Sequence, residues 1–84
     1  MSDSYQILGR QIAAARTLLG MPQTDLAEKS KVSIATLRRM EASEGAAAGM
    51  ANNVAAVQRA LEEAGVIFVP ENGEGAGVRL RKHP

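Results

Sequence analysis

The spacing of apolar residues predicts a corner of two short helices in the first half of the chain. The first helix is expected over residues 23–30, the turn over 31–33, and the second helix over 34–41. Ser33 stands just before the second helix, where its hydroxyl can accept a backbone N–H that has no helical partner. The residues that this corner must bury are all apolar: Leu26, Ala27, Val32, Leu37 and Met40.

A longer amphipathic helix is predicted ahead of the corner, over residues 5–19, with Asp3 or Ser4 as its cap. Gly20 is expected to end this helix in a left-handed conformation, and Pro22 then turns the chain. Apolar residues recur along one face of the helix at spacings of three and four: Leu8, Ile12, Ala15 and Leu19.

Another helix is predicted after a connector of small residues at 46–50. Asn52 or Asn53 is expected to cap this helix, which runs to about residue 64 and closes at Gly65. Its apolar stripe consists of Val54, Val57 and Leu61. The chain up to this point is therefore expected to form an all-helical core.

The pattern changes after residue 65. Residues 66–69 favour a β-strand, 70–77 are rich in turn residues, and 78–81 alternate apolar with basic side chains, which together predict a β-hairpin. A lone hairpin is marginal in water, so it must pack on the helices, pair with a second copy, or both. We favour a homodimer over a hairpin that only covers a monomer core. The expected dimer residues are Ile67, Phe68, Val69, Val78 and Leu80.

The composition narrows the class of protein. The chain has 84 residues and no cysteine, so it forms one small domain without disulfides or a thiolate metal site, as suits a reducing cytoplasm. No apolar run approaches the roughly 18 residues of a membrane span, and no signal pattern opens the chain. The single histidine, His83, is expected to be a surface group rather than a ligand or a base. We expect no metal, no cofactor and no small-molecule ligand.

The positive charges of the chain are few in excess, but several of them lie close together in sequence. The net charge is only +1, but four cations fall in one window without an acid between them: Lys29, Lys31, Arg38 and Arg39. This window overlaps the second helix of the corner. A short helix that is capped at its start, packed from behind and tipped with arginine suits a DNA major groove.

The motifs of the corner carry a family resemblance. They are the Gly20-Met21 turn, Gln23-x-x-Leu26-Ala27, and Val32-Ser33-x-x-Thr36-Leu37, in that order and spacing. With these motifs the chain resembles the lambda repressor/Cro-like (XRE-type) helix-turn-helix family over about residues 8–61. The resemblance implies a mainly α domain of four helices that binds DNA through helix 34–41. The tail also resembles that of short bacterial regulators of this type.

The resemblance further implies residue roles. Positions that face bases are Ser33, Ile34, Ala35 and Arg39. Positions that contact phosphate are Gln23, Thr24, Lys31, Arg38, Ser43, Asn52 and Asn53. A structural salt bridge is implied between Arg16 and Glu41, and Gln23 often braces the reading helix.

Side-chain chemistry and position along the helices give an assessment of these residues that does not depend on the resemblance. Arg39 suits a bidentate contact to guanine, and Ala35 suits a thymine methyl. Ile34 also suits a thymine methyl but is equally compatible with the core, because periodicity does not fix its face. Gln23, Ser43 and the two asparagines are common at helix ends, where a structural role is favoured. Lys31 replaces the usual turn glycine, at a strain of about 1 kcal/mol.

The functional expectation is a homodimeric, sequence-specific repressor that binds a palindromic site with reading helices about 34 Å apart. Its helix-turn-helix domain is expected over residues 4–64, with the hairpin and a short tail over 65–84. It would be cytoplasmic, on the nucleoid, and controlled by its abundance, by competition or by a partner protein. The alternative is an antitoxin-like or adaptor module with secondary DNA binding. A sequence-independent DNA coat is disfavoured by the low net charge, and an enzyme by the lack of a catalytic constellation.

Overall fold

The computed structural model describes residues 6–82, and the mainly α class with a C-terminal hairpin is confirmed there. The expectations for Asp3, Ser4 and His83 lie outside the described residues. No helix in the described part is long and apolar enough to cross a membrane. The helices are α1 Gly9–Leu19, α2 Gln23–Ser30, α3 Ile34–Glu41 and α4 Ala51–Glu63, and the strands are β1 Val66–Val69 and β2 Gly77–Leu80.

One apolar core joins all four helices to the first strand. Burying an aliphatic side chain of this kind contributes about 1.5–3 kcal/mol before chain entropy is counted. The residues predicted for the corner are in this core, with Val32 at its margin. The largest fully buried side chains are Ile7, Ile12, Leu26, Leu37, Met40, Leu61, Val57 and Val66.

The two-helix corner has the predicted bounds, and its turn is closed by local bonds. Lys31 takes the left-handed conformation with φ 62°, the only positive φ of a non-glycine residue among those described. The N–H of Val32 donates to the carbonyl of Ala27 at 3.1 Å. Ser33 caps α3, where its hydroxyl accepts the N–H of Thr36 at 3.0 Å. The corner is therefore specified by residues within a few positions of one another.

The prediction that α1 starts at residue 5 is wrong, because the helix begins at Gly9. Leu8 is extended and forms a β-bridge with Ala46 of the connector. Gly9 packs so closely on the end of α3 that an added methyl would collide with the carbonyl of Met40 and with Ser43. Ile7 and Leu8 thus pair with the connector instead of extending the helix.

The predicted asparagine cap of α4 is also wrong. Met50 is the N-cap, without a side-chain cap bond among the described residues, and the helix starts at Ala51. Asn52 and Asn53 lie in the first helical turn. The expected glycine at the other end is present, since Gly65 has φ 111° directly after the helix.

The C-terminal strands pair with each other as an antiparallel hairpin, with Val66 opposite Leu80 and Phe68 opposite Val78. β2 begins one residue earlier than residue 78 and ends at 80 rather than 81. Val66 is fully buried, and Phe68 and Val78 pack against the helical core. The hairpin therefore covers the core of its own chain, whatever else it contacts.

A buried glutamine attaches the hairpin to α1. Gln11 is only 3% exposed, and its Nε2 donates to the carbonyls of Val69 at 3.3 Å and Gly77 at 2.9 Å. Its Oε1 accepts the N–H of Leu8 at 2.8 Å. One side chain thus satisfies both strands and the start of α1, which fixes the hairpin on the helix.

Candidate nucleic-acid interface

One face of α3 is open to solvent and carries the helix's two arginines. Ala35, Arg38, Arg39 and Ala42 are all exposed, and their spacing places them on one side of a helix. The opposite side holds Leu37 and Met40, which are fully buried. The helix is therefore packed from behind and presents a short, basic outer surface.

The predicted base-reading residues of α3 and its cap differ in how exposed their side chains are. Ser33 is exposed, but its hydroxyl is shared with the N–H and the hydroxyl of Thr36. Ile34 is only half-buried and packs against the core, so it is partly a structural residue. Ala35 and Arg39 are exposed on the outer face. The apolar surface available to a thymine methyl is thus Ala35 and the exposed edge of Ile34.

A charged network connects α1, α2 and the end of α3. Arg16 Nε donates to Glu41 Oε2 at 2.9 Å, and Arg16 Nη2 donates to Glu41 Oε1 at 3.1 Å. Arg16 Nη1 also donates to the carbonyl of Met21 at 3.1 Å. Gln23 Nε2 adds a bond to Glu41 Oε1 at 3.0 Å. The network holds the end of α3 against α1 and α2, with the Glu41 side chain only 8% exposed.

The predicted phosphate residues fall into two groups. Thr24, Lys31, Arg38 and Asn52 are exposed. Gln23, Ser43 and Asn53 are half-buried. The Ser43 hydroxyl accepts the N–H of Ala48 at 2.9 Å and donates to the carbonyl of Arg39 at 3.2 Å. Ser43 therefore ties the connector to the end of α3, in line with the structural role that its residue type favours.

Sequence patterns missed three residues that bear on this surface. Arg59 of α4 lines one cleft together with Lys29 and Lys31, at the end of α2. Gly9 permits the close contact between α1 and α3. Gln11 attaches the hairpin, and the one available signal was a polar residue beside the buried stripe of α1. The other two gave no local signal.

The predicted dimer residues lie on both sides of the hairpin. Phe68 and Val78 face the core. Ile67 and Val69 are half-buried and belong to the alternate set of side chains, which points to the other face. Leu80 is 45% exposed. Part of this set therefore remains accessible to a second molecule.

A buried corner with an exposed basic second helix defines a class, the helix-turn-helix proteins that present one helix to DNA. Residues 12–50 match a family model described as helix-turn-helix. This segment of the chain is thus a helix-turn-helix of the lambda repressor/Cro-like, XRE type, and the resemblance is confirmed. The family consists of DNA-binding transcription regulators, which are generally not enzymes, and the match supports that class for this protein. No curated protein matches the chain.

Proposed function

We propose that this protein is a sequence-specific transcriptional repressor that binds a palindromic DNA site as a homodimer. The observation that carries the proposal is the exposed face of α3, which has two arginines and is packed from behind by Leu37 and Met40. A helix of this kind fits the major groove, where donors and apolar groups at base edges distinguish the base pairs.

Arg39 is the proposed base reader. It is exposed on α3, and its guanidinium offers two parallel donors to O6 and N7 of guanine. Ala35 lies one turn before it and offers a methyl group to thymine. Ser33 and the exposed edge of Ile34 would contact the adjacent base or sugar. Base readout is therefore expected to depend most on Arg39.

Arg38, Lys31 and Thr24 are the proposed phosphate contacts with the best access, because all three are exposed. Gln23 retains a second amide hydrogen besides the one that it gives to Glu41. Asn52 and Asn53 lie at the start of α4, where backbone N–H groups favour an anion. These contacts position the protein and give affinity without sequence preference.

A homodimer is proposed because a single short helix reads few bases. Two copies related by a two-fold axis would place their reading helices about 34 Å apart, in successive major grooves of one face. Ile67, Phe68, Val69, Val78 and Leu80 of the hairpin are the proposed contact set. Occupation of a promoter by such a dimer would repress transcription, and the protein would act on the nucleoid in the cytoplasm.

An adaptor or antitoxin-like role is the second candidate. It is favoured by one observation, the exposure of Leu18 at 48% and Leu80 at 45%, since such side chains suit a protein partner. In that case a partner protein would control the DNA-binding surface. A DNA-binding titration in the absence of any partner separates this candidate from the first.

Fluorescence anisotropy with a selected DNA site and with random DNA tests the base-reading proposal. Arg39→Ala should weaken binding to the selected site by about 1–3 kcal/mol and leave random DNA nearly unaffected. Arg38→Ala is the matched control in the same helix. It should weaken both DNAs alike and reduce the salt slope by about 1. An equal loss of affinity for the selected and the random DNA in Arg39→Ala would refute base reading by this residue.

A further inference from the structure

Part of the outer face of α1 is apolar and exposed, although the polar residues Arg10 and Thr17 lie on the same side. Leu18 is 48% exposed, and Ala13 and Ala14 lie on the same side of the helix. An amphipathic helix normally covers its apolar faces and leaves a polar face in water. Within residues 6–82 of a single copy, this side of α1 is left open.

This face of α1 forms one wall of a groove of about 760 Å³. The other wall consists of residues 76–78, that is, the residue before β2 and the first two residues of β2. Among the described residues, β1 contributes nothing to the lining. The groove therefore runs beside the edge of β2 that faces away from β1.

The backbone of β2 offers hydrogen bonds along that same edge. The N–H of Arg81 donates to the carbonyl of Gly65 at 2.6 Å, which makes these two residues a bonded pair. Bonded and non-bonded pairs alternate in an antiparallel ladder, so Val78 and Leu80 direct their N–H and C=O groups away from β1. Within residues 6–82 no backbone bond from outside the hairpin reaches them. Such an edge is a template for another strand.

The charges around β2 indicate which strand would add to it. Glu74 precedes the strand, and Arg81 and Lys82 follow it. When such a strand pairs antiparallel with its own copy, the acidic end of each copy lies against the basic end of the other. β1 lacks this polarity, since Glu63 precedes it and Glu71 follows it. Self-pairing of β1 would therefore bring like charges together, which disfavours it.

We propose that β2 pairs antiparallel with β2 of a second copy, with the two-fold axis at Val78. This inference rests on the proposed homodimer and specifies its contact. In this register Val78 lies opposite Val78 of the second copy, and Arg79 lies opposite Gly77. Glu74 comes beside Lys82. A register centred on Arg79 would instead set two arginines directly opposite each other.

The pairing would both enlarge the two-stranded hairpin and cover the open groove beside α1. Two hairpins joined through β2 form a sheet of four strands, whereas a two-stranded hairpin is marginal in water by itself. The added strand extends the sheet over the groove, so its inward side chains cover Leu18 and the alanines of α1. The hairpin is held in place for this contact by Gln11, which bonds the carbonyls of Val69 and Gly77.

Cysteine cross-linking tests the register, because the chain has no cysteine of its own. Bonded residues of an antiparallel pair have Cα atoms about 5.5 Å apart, which suits a disulfide. Val78→Cys should therefore convert to a covalent dimer on oxidation, as seen in non-reducing electrophoresis, with an unchanged circular dichroism spectrum. Arg79→Cys is the matched control and should stay largely uncoupled. Efficient coupling of Arg79→Cys or of Ile67→Cys, without coupling of Val78→Cys, would overturn the proposal.

Charge exchange gives a second readout at exposed positions, where substitutions are expected to leave the fold unchanged. Glu74→Lys or Lys82→Glu alone should raise the dimer dissociation constant about two- to tenfold in sedimentation, since two surface pairs are lost. The double variant should restore it, and Glu71→Lys is the control in the same loop. Failure of the double variant to restore the dimer would overturn the register. A monomeric wild type would overturn the proposed homodimer itself, whereas a wild-type dimer without Val78→Cys coupling overturns only this inference.

Discussion

Arg16→Met should be among the most damaging single changes to the corner. The substitution removes three hydrogen bonds, two to Glu41 and one to the carbonyl of Met21. It leaves the Glu41 carboxylate, which is 8% exposed, with the amide of Gln23 as its remaining side-chain partner among the described residues. Methionine keeps most of the aliphatic packing of the arginine stem, so the loss isolates the charge interaction.

The expected loss follows from how deeply the pair is buried. Breaking a fully buried ion pair costs about 3–5 kcal/mol, because one charge stays behind without its partner. The Arg16 side chain is 21% exposed, so we expect about 2–3 kcal/mol for this protein. A domain of this size has a total stability of about 4–13 kcal/mol. The melting temperature should therefore fall by about 10–20 °C.

Urea denaturation followed by circular dichroism measures this loss directly. Arg10→Met is the matched control, since Arg10 is an exposed arginine of the same helix, and it should change stability by less than about 0.5 kcal/mol. The double change Arg16→Met with Glu41→Leu should recover part of the loss, because no buried charge remains. Equal stability of Arg16→Met and Arg10→Met would refute the view that this pair holds α3.

Three further outcomes follow from single residues. Gln11→Leu should cost about 1–3 kcal/mol, since the carbonyls of the hairpin lose a buried donor, and hydrogen exchange should show early opening of the hairpin. Lys31→Gly should stabilise the protein by about 1 kcal/mol, because glycine adopts the left-handed turn without strain, while the salt slope of DNA binding falls by about 1. Ser33→Ala should lower stability by about 0.5–2 kcal/mol through loss of the cap on α3, as thermal denaturation would show.

The corner was predictable because its signals are local. Ser33 caps α3 through a residue only three positions away, and Gly20 ends α1 in the left-handed conformation with φ 67°. Lys31 shows the same effect, since a turn of this length requires a positive φ whatever residue occupies it. Element bounds that depend on neighbours in sequence are therefore accessible from sequence.

The misplaced helix starts have non-local causes. The apolar stripe of α1 includes Leu8, but contact of Gly9 with α3 and pairing with the connector make the helix start only at Gly9. Asparagine preference suggested a cap for α4, yet the connector delivers Met50 to that position. Gln11 bonds residues 58 and 66 positions away. Contacts over such separations leave no periodic trace in the sequence.

The candidate interface was only partly predictable for a related reason. Periodicity placed Arg38 and Arg39 on the outer face of α3, because that face is set by the buried Leu37 and Met40. Periodicity did not decide whether Ile34 faces the DNA major groove or the protein core. In the structure this residue is half-buried and packs against the core. Arg59 joined Lys31 only through the packing of α4 on α2.

Selection of binding sites from a random duplex library tests most directly whether α3 reads DNA sequence. The wild-type protein is expected to enrich a palindromic site whose half-sites lie about 10 base pairs apart. Arg39→Ala should lose preference at one position of each half-site and keep it at the others. Enrichment of no sequence by the wild type, or an identical site from Arg39→Ala, would contradict the account.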